Sequence, residues 1–159
     1  MENNLTTPRI LVGVDGSDHS VAALRGASRI AAAMHANIRA VSAWEYPTMF
    51  YPVPDWSPKD DAAKALDAAL EQAFGTDLPA NLEREVLCGN APKVLIEQSK
   101  DADMLVLGSR GHGGFTGMLL GSVSAACAQH AHCPVLILHR GDTSKITGST
   151  AEADAPAAR

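Results

Sequence analysis

The sequence predicts a single doubly wound α/β domain with a five-stranded parallel sheet and helices on both faces. Three observations carry that expectation. Five short apolar runs alternate with four segments of helical periodicity, the pattern of repeated βαβ units. The runs are almost continuously apolar, as strands covered on both faces are. The chain has 159 residues, 46% of them hydrophobic and 19% charged, which suits one globular domain at about 150 residues per domain. A chain of this length buries roughly 68 to 70% of its extended surface, so its core needs no disulfide or metal staple.

Residues 9–14, Arg-Ile-Leu-Val-Gly-Val, form β1, which ends in the turn Asp15-Gly16-Ser17. The first helix, α1, begins there with Ser17 or Asp18 as N-cap. It carries Val21, Ala22, Leu24, Ala27, Ser28, Ala31 and Met34 at helical spacing. Residues 37–44 form β2. Pro58 opens α2, whose Ala62, Ala65, Leu66, Ala69, Leu70 and Ala73 share a face until Gly75 stops it. Residues 83–87 are β3, Pro92 opens α3 up to about Lys100, and Met104 to Leu107 is β4, ending at Gly108. Residues 121–130 form α4 and 134–138 form β5. Five strands wound this way take the order 3-2-1-4-5, a Rossmann-like arrangement. Residues 1–8 are expected to be flexible, 9–139 to form the domain, and 140–159, poor in large apolar residues, to be a disordered tail.

Five of the seven aromatics, Trp44, Tyr46, Phe50, Tyr51 and Trp56, fall among prolines 47, 52, 54 and 58. That makes a proline-stiffened loop, which either packs on itself or serves as a ligand lid or subunit contact.

Thirteen Lys plus Arg against eighteen Asp plus Glu leave a net charge of -5, which excludes a generic nucleic-acid or anionic-membrane binder. The amino-terminal residues lack both a basic n-region and an apolar h-region, and no run reaches the roughly 18 apolar residues of a membrane span, so a cytoplasmic location is expected. Cys88, Cys127 and Cys133, odd in number and irregular in spacing, suggest reduced, buried thiols.

Chemistry concentrates after β4. Five further glycines follow Gly108 within thirteen residues, at 111, 113, 114, 117 and 121, and Gly121-Ser122 stands where α4 begins. Glycines admit main-chain N–H groups to an anion, and a helix N-terminus favours phosphate. The glycines at the two ends of this loop could clasp a triphosphate, with Ser122 Oγ and nearby amides as donors. A P-loop is excluded, because the chain contains no Gly-Lys dipeptide. Gly111, Gly113 and Gly117 are one residue off the dinucleotide fingerprint and follow the wrong strand. In the expected order, Asp15 lies beside the Gly108 loop. As an acceptor it suits a ribose hydroxyl or an adenine amino group, or else it is simply a turn and helix-cap carboxylate.

The segments Ile10-Leu-Val-Gly-Val-Asp-Gly-Ser17, Gly108-x2-Gly111-x9-Gly121-Ser122 and Cys133-Pro-Val-Leu-Ile-Leu138 together resemble the universal stress protein family, specifically its ATP-binding branch, over residues 9–139. The resemblance implies a nucleotide-dependent stress-response regulator. It would place Gly13, Val14 and Asp15 along the adenosine and Ala43 against the base, with Leu107, Gly108, Gly111, Gly121, Ser122 and Val123 holding ribose and phosphates. It also implies a homodimer paired through residues 134–138, consistent with an apolar edge strand.

Asp15 is the one carboxylate expected near the nucleotide, and no lysine or cysteine is placed to attack a phosphoryl group. Binding with at most slow hydrolysis is therefore expected, with magnesium accompanying the ATP and no dedicated metal site. Arg110 and His112 read as solvated loop side chains, within reach of phosphate oxygens. Cys127, His130, His132 and Cys133 include zinc-ligand types, but Cys133 lies past the helix end, which makes convergence awkward. Two alternatives differ in class: a nucleotide-independent interaction module with an unidentified protein partner, and an ATP-pyrophosphatase-type enzyme, whose Ser-Gly-Gly-x-Asp-Ser loop residues 13–17 only loosely match.

Overall fold

The computed structural model describes residues 6–48, 55–112, 117 and 119–140. Its elements follow the expected order: β1 (Arg9–Gly13), α1 (Asp18–Met34), β2 (Asn37–Trp44), α2 (Pro58–Phe74), β3 (Leu82–Cys88), α3 (Ala91–Gln98), β4 (Met104–Gly108), α4 (Ser122–His130) and β5 (Val135–Leu138). A 3-10 turn, Ser99–Asp101, follows α3. The strands pair β3-β2-β1-β4-β5, every pairing parallel, as the sequence predicts.

Alternate strand residues feed two separate apolar layers. Ile10, Val12, Ile38, Ala40 and Val106 pack with Val21 and Leu24 of α1 and with Leu66 and Leu70 of α2. Leu11, Val41, Leu105 and Leu107 pack on the other face with Leu95 of α3 and Cys127 of α4. On that second face β2 and β3 turn polar. Arg39 donates from Nε to Glu85 at 2.8 Å and from Nη1 to Gln98 at 2.6 Å, so a half-buried guanidinium is matched where helix cover gives out.

Local chemistry sets the helix ends. Of the two candidate caps for α1, Ser17 takes the role: its Oγ accepts from the Ser20 N–H at 3.2 Å. Asp18 falls in the first turn, where the helix dipole favours a carboxylate. Ser57 caps α2 in the same way through the Asp60 N–H, Pro58 starts the helix and Gly75 ends it.

Some sequence expectations need correction. Met34, in the last turn of α1, is 40% exposed, because the helix runs on past the face that covers the sheet. Of the three free cysteines only Cys127 is buried; Cys133 is half-buried, and Cys88, the last residue of edge strand β3, is exposed. Burial of Cys127, with Cys133 nearby, pushes its thiol up to about 11.

In the aromatic segment Trp44 belongs to β2 and meets Tyr46 edge-on at 5.3 Å, while Trp56 Nε1 donates to Asp61. The remainder of that loop, residues 49–54, lies outside the described residues, as do the terminal expectations for 1–5 and 141–159. Among the described residues no helix is long and apolar enough to cross a membrane.

Candidate functional site

The chain winds outward from β1 through β2 and β3 on one side and through β4 and β5 on the other. β1 and β4 therefore flank the point where connections leave the sheet in opposite directions, and a crevice must open beyond their carboxyl ends. A cavity of about 330 Å3 lies there, within the range of small-molecule sites. All ten residues singled out above line it: Gly13, Val14 and Asp15 after β1, Ala43 from β2, Leu107 and Gly108 from β4, Gly111 in the loop, and Gly121, Ser122 and Val123 at the start of α4.

The cavity is lined both by apolar side chains and by the start of a helix. Val41, Ala43, Ala91, Leu95 and Leu107 make an apolar surface. The loop after β4 is drawn closed, since the Gly121 N–H donates to the Ser109 carbonyl at 2.8 Å. Ser124 Oγ, buried, donates to the Gly108 carbonyl at 2.7 Å and fastens the first turn of α4 to the end of β4. Gly121 is the N-cap of α4 and offers no side chain to cap it. The first-turn N–H groups, which have no intrahelical partner, thus meet the cavity with the positive end of the helix dipole behind them.

Close approach constrains three cavity glycines, and a Cβ on Gly13 would meet Leu107 Cδ2 at 2.6 Å and Leu95 Cδ1 at 2.9 Å. A Cβ on Gly108 would lie 2.6 to 2.7 Å from backbone and Cβ atoms of His19, so the end of β4 can pass α1 only without a side chain. A Cβ on Gly111 would run into Asp15 Oδ2. Gly121 is different: a Cβ there would meet nothing nearer than Arg110 Cα at 3.4 Å, so the fold itself leaves room.

Asp15 accepts the Ser17 N–H on Oδ1 at 2.9 Å and the His112 N–H on Oδ2 at 3.1 Å. Burial works to raise its pKa. The hydrogen bonds from Ser17 and His112, with the positive charge available to the His112 ring, outweigh that and hold the carboxyl below its ordinary value. The turn-carboxylate expectation therefore holds, with an addition: the same group also grips the glycine loop. His112 Nε2 stands 3.6 Å from where a Cβ on Gly16 would be, laying the ring against the β1 turn.

Of the two loop side chains expected to be solvated, His112 is exposed as expected, while Arg110 departs from the expectation. Both line the cavity, and Arg110 is half-buried beside the Ser109–Gly121 closure of the loop. Sequence reasoning missed Ser20, Val41, Ala91, Leu95, Leu120 and Ser124 as lining residues. Ala91 and Leu95 share a face by their i,i+4 spacing, but only the placement of α3 against the sheet turns that face toward the cavity. Asp15 is the one carboxylate among the described residues lining it. No three His, Cys, Asp or Glu side chains among the described residues, Cys127, His130, His132 and Cys133 included, are grouped to share a metal ion.

Residues 6–139 match the family model described as the universal stress protein family. A universal stress protein of Mycobacterium tuberculosis is 35% identical over 144 residues, covering 84% of this chain and 48% of its own length. The chain thus spans about half the length of the curated relatives it matches. Among solved structures, the universal stress protein UspA from Lactobacillus plantarum is 27% identical, with a TM-score of 0.62, over 85% of this chain and 99% of its own. A universal stress protein solved in complex with cAMP is 30% identical, with a TM-score of 0.55, over 84% of this chain and 98% of its own.

Proposed function

Because the chain belongs to the universal stress protein family, we propose that it binds ATP in the cavity between β1 and β4 and works as a nucleotide-dependent regulator in a stress response. One observation carries the reading: an uncapped helix N-terminus and a group of apolar side chains line the same cavity. The base suits the wall of Val41, Ala43, Leu95 and Leu107, and the phosphates suit the amides of Ser122 and Val123, with Ser122 Oγ and Arg110 beside them. Gly13, Val14 and Asp15 would border the sugar, and Gly108, Gly111 and Gly121 would leave room for the phosphate chain. Magnesium would arrive with the nucleotide and neutralise the phosphates.

Hydrolysis should be slow at most. Efficient phosphoryl transfer needs a positioned base, and the one carboxylate at hand is already bonded to two backbone N–H groups and held below its ordinary pKa. Occupancy then acts by shifting the population of two conformations that bind ATP unequally.

A homodimer through β5 extends the reading. β5 is an edge strand, and among the described residues half-buried Ile137 is grouped with neither apolar layer, which suits it to a partner's strand.

A nucleoside monophosphate is the second reading, favoured by the relative solved with cAMP. The test is chromatography of the acid-released small molecules from freshly purified protein, followed by calorimetric titration with Mg-ATP, AMP and cAMP. ATP or ADP released in near-stoichiometric amount, or preferential uptake of Mg-ATP, supports the proposal. Preference for AMP or cAMP moves it to the monophosphate, and protein that is empty and takes up none of the three points to a nucleotide-independent interaction module.

A further inference from the structure

Asp15 lines the cavity and links two segments of its wall. It closes the β1 turn through Ser17 and reaches across to the main chain of the loop after β4 through His112, 97 residues later. Among the described residues the bond from the His112 N–H is the side-chain hydrogen bond that joins that turn to the segment beyond Ser109. Gly111, directly before His112, is where a Cβ would strike Asp15 Oδ2, so a side chain there would compete with the carboxylate for its place against the loop.

We infer that Asp15 is a positioning residue: its carboxylate is a strut that holds the phosphate-binding loop against the β1 turn, and its loss weakens ligand binding through the loop. This rests on the nucleotide reading above and assigns to Asp15 a role beyond bordering the sugar. Both oxygens are committed to backbone N–H groups, and hydrogen bonds to an ionised acceptor are among the stronger ones. The depressed pKa of the carboxyl agrees with that engagement. The ionised group is therefore stabilised by its protein donors before any ligand arrives.

The sign of the effect on phosphate separates a strut from a mere neighbouring charge. A carboxylate beside a polyphosphate repels it, so removing an idle carboxylate should tighten phosphate binding. Removing a strut should weaken it, because the amides of the loop no longer stand where the phosphates need them.

The experiment uses the full chain as wild type, Asp15→Ala and Asp15→Asn. In nucleotide-free protein, amide exchange followed by NMR should quicken at His112 and Ser17 in Asp15→Ala by at least about tenfold, while Val12 and Val106 in the sheet keep their protection. Unchanged exchange at His112 overturns the strut. Asp15→Asn keeps one carbonyl acceptor, so only one of the two amides should lose protection; it also serves if the alanine variant does not fold.

The second arm measures displacement of ATP by inorganic tripolyphosphate and by adenosine. Weakening of tripolyphosphate and ATP by the same factor in Asp15→Ala supports the strut. Tripolyphosphate binding unchanged or tighter, with adenosine weakened, makes Asp15 a direct contact to sugar or base and overturns it. A wild type that takes up no ATP sinks the nucleotide reading alone, since the exchange arm still decides the strut without any ligand.

Discussion

Gly121→Asp separates the fold from the function most sharply. Gly121 sits at φ -70° and ψ 165°, the extended conformation usual for an N-cap, and a Cβ would find Arg110 Cα at 3.4 Å and the Gly111 nitrogen at 3.6 Å. The fold can therefore take the side chain. An aspartate there caps α4 with its own carboxylate, a gain of a few tenths of a kcal/mol over glycine, and interacts with the helix dipole for about 0.3 to 1 kcal/mol more. Stability against urea should hold or rise by up to about 1 kcal/mol. Binding moves the other way. The carboxylate takes the N–H groups proposed for phosphate, and about 4 Å from a phosphate charge it repels by about 1 kcal/mol in a water-like medium and about 4 kcal/mol at an effective dielectric of 20. At 1.4 kcal/mol per decade that is between about 5-fold and 1,000-fold per phosphate charge, so a loss of at least about tenfold is expected in an open cavity. Calorimetry with Mg-ATP and a urea melt on the same preparations decide it, with Gly121→Asn, which caps without charge, losing less. Wild-type affinity in Gly121→Asp refutes the assignment of phosphate to α4, and a large loss of stability refutes the statement that the fold leaves room.

Gly108→Ala should show the opposite profile, destabilising by about 1 to 3 kcal/mol in urea because its Cβ meets the His19 backbone. Ile137→Lys should convert the dimer proposed through β5 to monomer by analytical ultracentrifugation with the monomer's far-UV circular dichroism unchanged; a persisting dimer points to another interface. The Asp15 contribution to holding the loop is fully present above the ordinary carboxylate range and is lost as pH falls through its depressed folded value. The His112 amide shift in NMR should therefore titrate below an ordinary aspartate, and a midpoint at or above the ordinary value contradicts this. Among the thiols, Cys88 should alkylate readily in native protein, while Cys127, buried and pushed up to about 11, should react only on unfolding.

The sequence by itself determined the winding. Apolar runs such as Leu11-Val12 and Leu105-Val106 are short and flanked by turn residues, and helix signals such as Ser17, Pro58 and Gly75 act locally, so both survive without knowledge of neighbours. The glycine spacing from 108 to 121 likewise marked the loop, because close backbone approach leaves a residue-type signature, while the ten cavity residues, Ala43 of β2 among them, were named through the family resemblance that this spacing helps to carry. Exposure at the margins was not legible. Periodicity put Met34 on the apolar face of α1 and could not say that its last turn overruns the sheet, and cysteine spacing could not say that Cys88 ends an edge strand.

Only the tertiary structure decided what Asp15 holds. A carboxylate two residues before a serine is legible as a turn; that its second oxygen meets an N–H 97 residues away depends on β4 pairing beside β1. The packing of α3 against β2 and α4 turns Leu95 and Ala91 toward the cavity, and the closing of the loop after β4 brings Arg110 and His112 onto its wall and leaves Gly121 room it does not need. Local propensity and spacing are written residue by residue, whereas these contacts arise only when distant segments share one sheet edge, where distances of a few ångströms decide which groups meet.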